Sequence, residues 1–375
     1  YVASGISMYY AALRICGSEL GAWVAGVLYA FSEWHLRMGA PEGNLPMALG
    51  YSLAPLTLLS VHVVIEGGGK LDTLLSVLGV SALIYAHHTT LISSLAPMMV
   101  YALLALTARI ERVGYGSLSC YVGAGLRALL IYGLALLTSS AWLIPFILEK
   151  EYMKPSSVEN PFYFEFWSVR PVEVVSREAV FRKHGYVYYQ GYILLVAPLL
   201  TALLHVIRRL EERWRTAAMA AACYSFLVLS FGKYTPLGVI YLTVPYMKYM
   251  PPLRFLSSYN LLASMLACKL VAGFRRDKWP TVAVVATAVL IVAHVWDIHP
   301  YQLFFKPVEL DEHYEKALRY LSHDSELFRV FQPAMLPQGS ALSYAPAISH
   351  KDILEGWYTC LLYTSPSPRD RGCSR

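Results

Sequence analysis

Lysine and arginine residues cluster in every second gap between the long hydrophobic runs of this chain. They form five groups along the sequence: Arg14, Lys70, Arg109 with Arg112, residues 208–215, and residues 275–278. The gaps between these groups are long, aromatic and mixed in charge. Short basic loops stay on the cytoplasmic side of multi-spanning helical membrane proteins. The pattern therefore predicts such a protein and assigns each polar residue to a cytoplasmic or an outer side.

The composition is typical of an integral membrane protein. Of its 375 residues, 56% are hydrophobic and 15% are charged, whereas a soluble protein carries about 25% charged residues. The net charge of +6 is accounted for mostly by the predicted cytoplasmic loops. It therefore does not indicate a nucleic-acid partner.

Ten hydrophobic runs define the predicted spans. A spanning helix needs about 20 apolar residues, and fewer where protein surrounds it. The runs cover residues 1–16, 20–31, 45–65, 71–86, 89–107, 121–148, 191–207, 217–231, 253–274 and 280–296. Counting spans from either end places every basic group on the same side. We expect an all-α polytopic domain of about ten spans over residues 1–297.

The rest of the chain is less apolar. Residues 311–322 have the periodicity of an amphipathic helix and Leu327–Phe331 that of a short strand. Residues 298–359 are therefore predicted to begin an extracytoplasmic α/β domain. Residues 360–375 resemble a translated sequencing adapter and are left out of the fold prediction. Because Tyr1 lies inside a hydrophobic run, we expect an upstream portion.

A first group of candidate site residues lies between the second and third runs, on the predicted outer side. It consists of Glu33, His35, Arg37 and Glu42. Charged groups at a helix end near the membrane are often functional. His35 and Arg37 could bind an anionic phosphate, and Glu33 or Glu42 could serve as a base or a metal ligand. The alternative is that all four are interfacial residues in water.

Two further candidates lie at outer helix ends. Adjacent histidines point to different faces of a helix, so His87 and His88 cannot both bind one metal. One of them could donate a hydrogen bond to a phosphate or sugar, or both could be solvated. Arg254 follows two prolines that suit a helix start and departs from the positive-inside trend. A guanidinium beside a helix N-terminus suits a phosphate, and an arginine that extends to the interface is the alternative.

Several stretches together resemble a known group of membrane proteins. They are Leu28–Ser32, Gly43–Pro46, Leu53–Leu56 and Pro251–Phe255. The chain resembles polytopic proteins of the GT-C glycosyltransferase superfold, in particular YfhO-like and 6-pyruvoyl-tetrahydropterin synthase-related membrane proteins. This resemblance implies a GT-C-like helical bundle that transfers a sugar from a polyprenyl-phosphate carrier on the outer face. It also implies an acidic catalytic residue in the first outer loop, which we expect upstream of Tyr1.

The resulting hypothesis is a multi-pass plasma-membrane glycosyltransferase whose C-terminal part is extracytoplasmic. Its partners would be membrane lipid and a polyprenyl-phosphate-linked sugar. The sequence defines no metal site and no cofactor, although a divalent metal is compatible with the chemistry. A transporter or flippase of lipid-linked glycans, and a non-catalytic envelope scaffold, are the alternatives. The sequence does not define the oligomeric state.

Overall fold

The structure, a computed structural model, is built from helices. It describes residues 1–39, 44–113, 118–149, 164, 167–176, 188–207, 213–244, 247, 250–276, 280–302 and 312–323. Within these ranges there is no strand. The first seven helices are α1 (Val2–Cys16), α2 (Glu19–Ala30), α3 (Glu33–Gly39), α4 (Leu45–Glu66), α5 (Lys70–Ala86), α6 (His88–Val113) and α7 (Leu118–Glu149). The others are α8 (Pro171–Val175), α9 (Tyr192–Ile207), α10 (Arg213–Ser230), α11 (Val239–Thr243), α12 (Phe255–Arg276), α13 (Pro280–Gln302) and α14 (Glu312–Ser322).

Each of the ten predicted hydrophobic runs coincides with a helix, but only some are long and apolar enough to cross a membrane. Among the described residues, five helical segments meet both conditions: Leu45–Glu66, Thr89–Glu111, Tyr121–Leu148, Pro252–Phe274 and Thr281–Ile298. Tyr192–Ile207 is apolar but shorter. Helices α1, α2 and α5 have 15, 12 and 17 residues. The helical membrane class is therefore confirmed with five candidate spans, and the count of about ten stays a prediction.

Helix α12 is the centre of the bundle. It packs against α2, α6, α9, α10 and α13, and 89% of its apolar segment is buried, against 17% for α7. Small residues line its length, including Ser258, Ala263, Ser264 and Ala267, all of which are buried. Such residues let helix backbones approach closely within a membrane. Helix α7 instead presents most of its apolar surface outward, as a lipid-facing helix does.

The contact between α2 and α12 depends on a glycine. A Cβ atom added at Gly21 would lie 2.6 Å from the carbonyl oxygen of Cys268 and 2.8 Å from its sulfur. The first contact is with backbone, which cannot move without shifting α12. A residue without a side chain is therefore required at this crossing.

The basic residues meet at one end of the bundle, as the alternating pattern predicts. Arg14 at the end of α1 forms a 2.6 Å ion pair with Asp72 at the start of α5. Arg109 near the end of α6 and Arg127 near the start of α7 both donate to carbonyl groups in the last turn of α4. Arg215 at the start of α10 pairs with Glu111 of α6. These contacts confirm that the termini carrying arginine lie together.

The chain divides into two compact units. The first comprises Tyr1–Gly39, Asn44–Trp142 and Asn160–Gln302, and it contains the bundle and the site discussed below. The second comprises Ala40–Gly43, Leu143–Glu159 and Leu303–Arg375, of which the structure describes the last turns of α7 and helix α14. Helix α14 confirms the amphipathic helix predicted at residues 311–322. The predicted strand Leu327–Phe331 and the adapter-like residues 360–375 lie outside the described residues, so the α/β domain stays a prediction.

Candidate functional site

Three helices begin at the same place, at the end of the bundle opposite the basic cluster. Helix α4 starts at Leu45, α6 at His88 and α12 at Phe255. The starts are local consequences of sequence: Asn44 caps α4 by accepting the Met47 N–H at 3.2 Å, and Pro252 opens the turn that leads into α12. Helix N-termini carry partial positive charge and exposed N–H donors. Their convergence makes this rim electropositive.

Arg254 lies where the three N-termini meet. Its Nη1 atom donates a short hydrogen bond to the hydroxyl of Thr89 in α6 and lies 3.6 Å from the Met47 sulfur in α4. The side chain is half-buried. A cation at a helix N-terminus is disfavoured by the helix dipole, so Arg254 adds its charge to a place where the helix ends are already positive.

His87 joins this network through Thr89. It is the single residue between α5 and α6, and its Nδ1 atom accepts the Thr90 N–H at 3.2 Å and lies 3.0 Å from the Thr89 hydroxyl. Since Nδ1 accepts a backbone donor, the neutral ring carries its proton on Nε2. His87 thus caps α6, and its Nε2 atom lies 3.2 Å from the same Thr89 hydroxyl. The His88 side chain lies outside the described residues.

Helix α3 brings the other predicted residues into the protein interior. Glu33, His35 and Arg37 are buried, with 1%, 2% and 4% of their surface exposed. This differs from the reading in which they are interfacial residues in water. Glu42, the remaining member of the group, lies outside the described residues.

One ring nitrogen of His35 lies within hydrogen-bond distance of two protein oxygen atoms. Its Nδ1 atom lies 3.1 Å from the Ala30 carbonyl oxygen and 3.1 Å from the Ser4 hydroxyl, and its ring packs 5.0 Å from that of Tyr51. Helix α3 is outside the candidate spans. Burial lowers the pKa of His35 to about 4, although the bond to Ala30 opposes the shift. At neutral pH His35 is therefore uncharged, and it brings no positive charge to an anion.

Residues 188–192, which we call the strap, tie α3 to α13. The Tyr188 ring lies 4.7 Å from the Arg37 guanidinium carbon, and the Gln190 amide donates to Glu33 at 3.2 Å. On the α13 side, Asp297 accepts the Tyr189 hydroxyl at 2.8 Å and the Tyr192 N–H at 2.7 Å. The strap therefore assembles two acidic side chains and one guanidinium in the interior.

The Arg254 network and the α3 residues share helix α4. Met47, which contacts Arg254, is one turn before Tyr51, whose hydroxyl bonds Ser32 at 2.8 Å beside α3. The structure thus groups Arg254 with His87, and groups Glu33 with Arg37 and the strap. It places His35 with Tyr51 between the two groups along α4.

Sequence reasoning missed Asp297, His294 and Gln190, and it considered Tyr189 only as an aromatic ring of the outer loop. Asp297 and His294 are buried, with 5% and 0% of their surface exposed, and both sit in or directly after an otherwise apolar run. An ionisable residue within a membrane helix is a functional candidate by default, so this signal was present. Tyr189 and Gln190 carry no such signal because only the tertiary fold brings them to α3 and α13.

The described part of the chain holds no group of three or more His, Cys, Asp or Glu side chains arranged to bind a metal ion. The rim groups the guanidinium of Arg254 with the hydroxyl of Thr89, and both are donor types that suit an anion. A bundle of apolar helices with such a rim at one end defines a multi-pass membrane protein.

Comparison with protein families agrees with this class. A family described as "6-pyruvoyl-tetrahydropterin synthase related domain; membrane protein" matches residues 2–305. The match covers well over half of the chain, so the chain belongs to this family of membrane proteins. No curated protein matches it.

Proposed function

We propose that this protein is a GT-C-like glycosyltransferase that takes a sugar from a polyprenyl-phosphate carrier at the outer end of its helical bundle. The observation that carries the proposal is the position of Arg254 where α4, α6 and α12 begin, hydrogen-bonded to Thr89. An anion bound there meets a guanidinium and three helix N-termini at once. The phosphate of a lipid-linked sugar is such an anion.

In this reaction the leaving phosphate is the group that most needs stabilisation. The bond between the sugar C1 and the phosphate oxygen breaks, C1 bonds to the acceptor oxygen, and the acceptor proton passes to a base. Negative charge grows on the leaving phosphate, so donors placed there stabilise the transition state more than the ground state. Of His35 and His87, the two candidate histidines whose side chains the structure describes, His87 suits this role better because Thr89 links it to Arg254. Glu33 and Glu42 remain the candidate bases.

The same proposal includes a topology. The rim faces outward, the arginine-rich helix ends face the cytoplasm, about ten helices cross the plasma membrane, and residues 298–359 begin an outer domain. The clustering of Arg14, Arg109, Arg127 and Arg215 at the opposite end from Arg254 supports this orientation.

Transfer from a radiolabelled polyprenyl-phosphate sugar tests the proposal in reconstituted vesicles. Arg254→Gln should lower transfer by about 100-fold, as does loss of one preorganised oxyanion donor in other enzymes. Arg254→Lys should restore part of the activity, since it keeps the charge but loses the planar fork. The matched control is Arg170→Gln, an exposed arginine bonded to Tyr234, which should leave transfer unchanged.

Two results would contradict the proposal in different ways. Unchanged transfer by Arg254→Gln would remove Arg254 from the phosphate site. Carrier binding that depends on Arg254 without any transfer by the wild-type protein would favour the flippase or transporter alternative.

A further inference from the structure

One carboxylate anchors the strap to α13. The Tyr189 hydroxyl donates to Asp297 and lies 2.9 and 2.8 Å from its two oxygen atoms. The Tyr192 N–H donates to the same side chain at 2.7 Å. Asp297 and Tyr189 are both buried, and hydrogen bonds to a carboxylate are among the strongest in a protein interior. The strap is therefore fastened to α13 on both sides of Gln190.

A glycine lets the strap lie directly against α13. Gly191 has a φ angle of 79°, a conformation that favours a residue without a side chain. A Cβ atom added there would lie 3.3 Å from two ring atoms of His294 and 3.4 Å from Oδ2 of Asp297. Both the backbone conformation and the close approach favour glycine. The sequence thus fixes the path of the strap over Asp297.

The strap in turn holds Glu33 of α3. The side-chain amide of Gln190 donates to Oε2 of Glu33 at 3.2 Å and to the Tyr188 carbonyl oxygen at 2.7 Å. The backbone N–H of Gln190 donates to the Val174 carbonyl oxygen in α8 at 3.2 Å. Gln190 and Glu33 are both buried. Both N–H groups of the amide thus have acceptors, so the orientation of Gln190 toward Glu33 is defined.

We propose that Asp297 is a positioning residue that acts through the strap to hold the Glu33 carboxylate in one orientation. The contacts run from Asp297 to Tyr189, along the backbone to Gln190, and from its amide to Glu33. This role rests on the proposed function, in which Glu33 is a candidate base. A base must lie within hydrogen-bond reach of the proton that it removes. A displaced strap should therefore slow the chemical step more than it weakens substrate binding.

A double-mutant cycle in reconstituted vesicles tests this connection. Asp297→Asn should lower kcat for transfer by about 10- to 100-fold, the size expected when a reacting group is displaced by about 1 Å. The donor KM should change by less than about twofold, because the phosphate site is elsewhere. In a Glu33→Gln background, Asp297→Asn should cause little further loss, since its effect passes through Glu33. Tyr189→Phe removes one donor to Asp297 but keeps the ring, and it should show a smaller loss with the same dependence on Glu33.

Asp72 provides a matched control at the arginine-rich end of the bundle. It is buried and, like Asp297, it accepts a tyrosine hydroxyl and a backbone N–H, from Tyr10 and Gly69, each at 2.8 Å. Asp72→Asn should lower the melting temperature, and any effect on kcat should be the same with and without Glu33→Gln. Independent losses of kcat from Asp297→Asn and Glu33→Gln would overturn the proposal. If Asp297→Asn does not fold, independent losses from Tyr189→Phe and Glu33→Gln would overturn it equally.

Thermal unfolding of the same variants needs no activity and separates this proposal from the proposed function. The melting-temperature losses of Asp297→Asn and Glu33→Gln should be smaller together than their sum, because both substitutions release the same strap. Simple addition of the two losses would overturn the connection. Coupled unfolding without any transfer by the wild-type protein would contradict the proposed function alone and support the connection between Asp297 and Glu33.

Discussion

Single residues show most clearly what burial does to charge. His35, predicted as a phosphate ligand, becomes a neutral side chain bonded to Ala30 and Ser4. Arg254, predicted from its departure from the positive-inside trend, lies at a meeting of helix ends where its charge is useful. Sequence identifies which polar residues share a side of the membrane. It does not reveal their burial, because that depends on which helices pack over them.

The burial of His35 predicts a pH dependence of stability. Its folded pKa of about 4 lies below the unfolded value of about 6.5, so the unfolded state binds more protons between these values. Stability is complete above pH 6.5 and falls as the pH decreases toward 4. At pH 5 we expect a loss of about 2 kcal/mol from this residue.

Thermal unfolding in detergent at pH 7 and pH 5 measures the effect. His35→Gln should reduce the difference between the two pH values, because glutamine does not titrate. His323→Gln, at an exposed histidine after α14, is the matched control and should leave the difference as in the wild-type protein. Equal pH dependence in all three proteins would contradict the prediction.

At the scale of elements, periodicity and hydrophobicity locate the helices well. All ten predicted runs coincide with helices, and the Gly67–Gly69 turn separates α4 from α5. Helix α3 and the strap are harder to predict. Both segments are short. Contacts with α4 and α13 fix their positions, and some of these contacts join residues that lie far apart in the sequence. The strap therefore had to be seen in the folded structure.

The close crossing of α2 and α12 predicts that a glycine-to-alanine substitution destabilises the protein at Gly21 but not at Gly125. Gly21→Ala places a methyl group against the Cys268 backbone and should destabilise the protein by about 1–3 kcal/mol. Gly125→Ala, on α7, is the control because an added Cβ there meets no atom within 4 Å. It should be neutral or slightly stabilising. Similar melting temperatures for the two variants would show that α2 and α12 do not cross so closely.

At the largest scale, the first compact unit is a helical bundle with two chemically different ends. The arginine-rich end contains the ion pairs of Arg14 and Arg215, and the opposite end contains Arg254 and His87. The charge pattern predicts this division because each helix reverses the direction of the chain. It does not predict that α12 occupies the centre, since several runs are equally apolar.

Labelling from outside the cell tests the orientation. In a background with the six cysteines of the chain replaced by alanine, Lys233→Cys should react with a membrane-impermeant maleimide in intact cells. Lys70→Cys, at the arginine-rich end, should react only after permeabilisation. Both positions are exposed. Labelling of Lys70→Cys alone in intact cells would mean that the protein has the opposite orientation.

The position of the Arg254 rim has an electrical consequence. Moving one elementary charge across a membrane involves about 2.3 kcal/mol per 100 mV, but a ligand at the rim binds at helix ends rather than at mid-depth. An anionic carrier that docks and reacts there would cross little of the transmembrane field. The rate of sugar transfer should therefore not change with the voltage across the bilayer. Transport of the same anion through the bundle would instead depend strongly on that voltage.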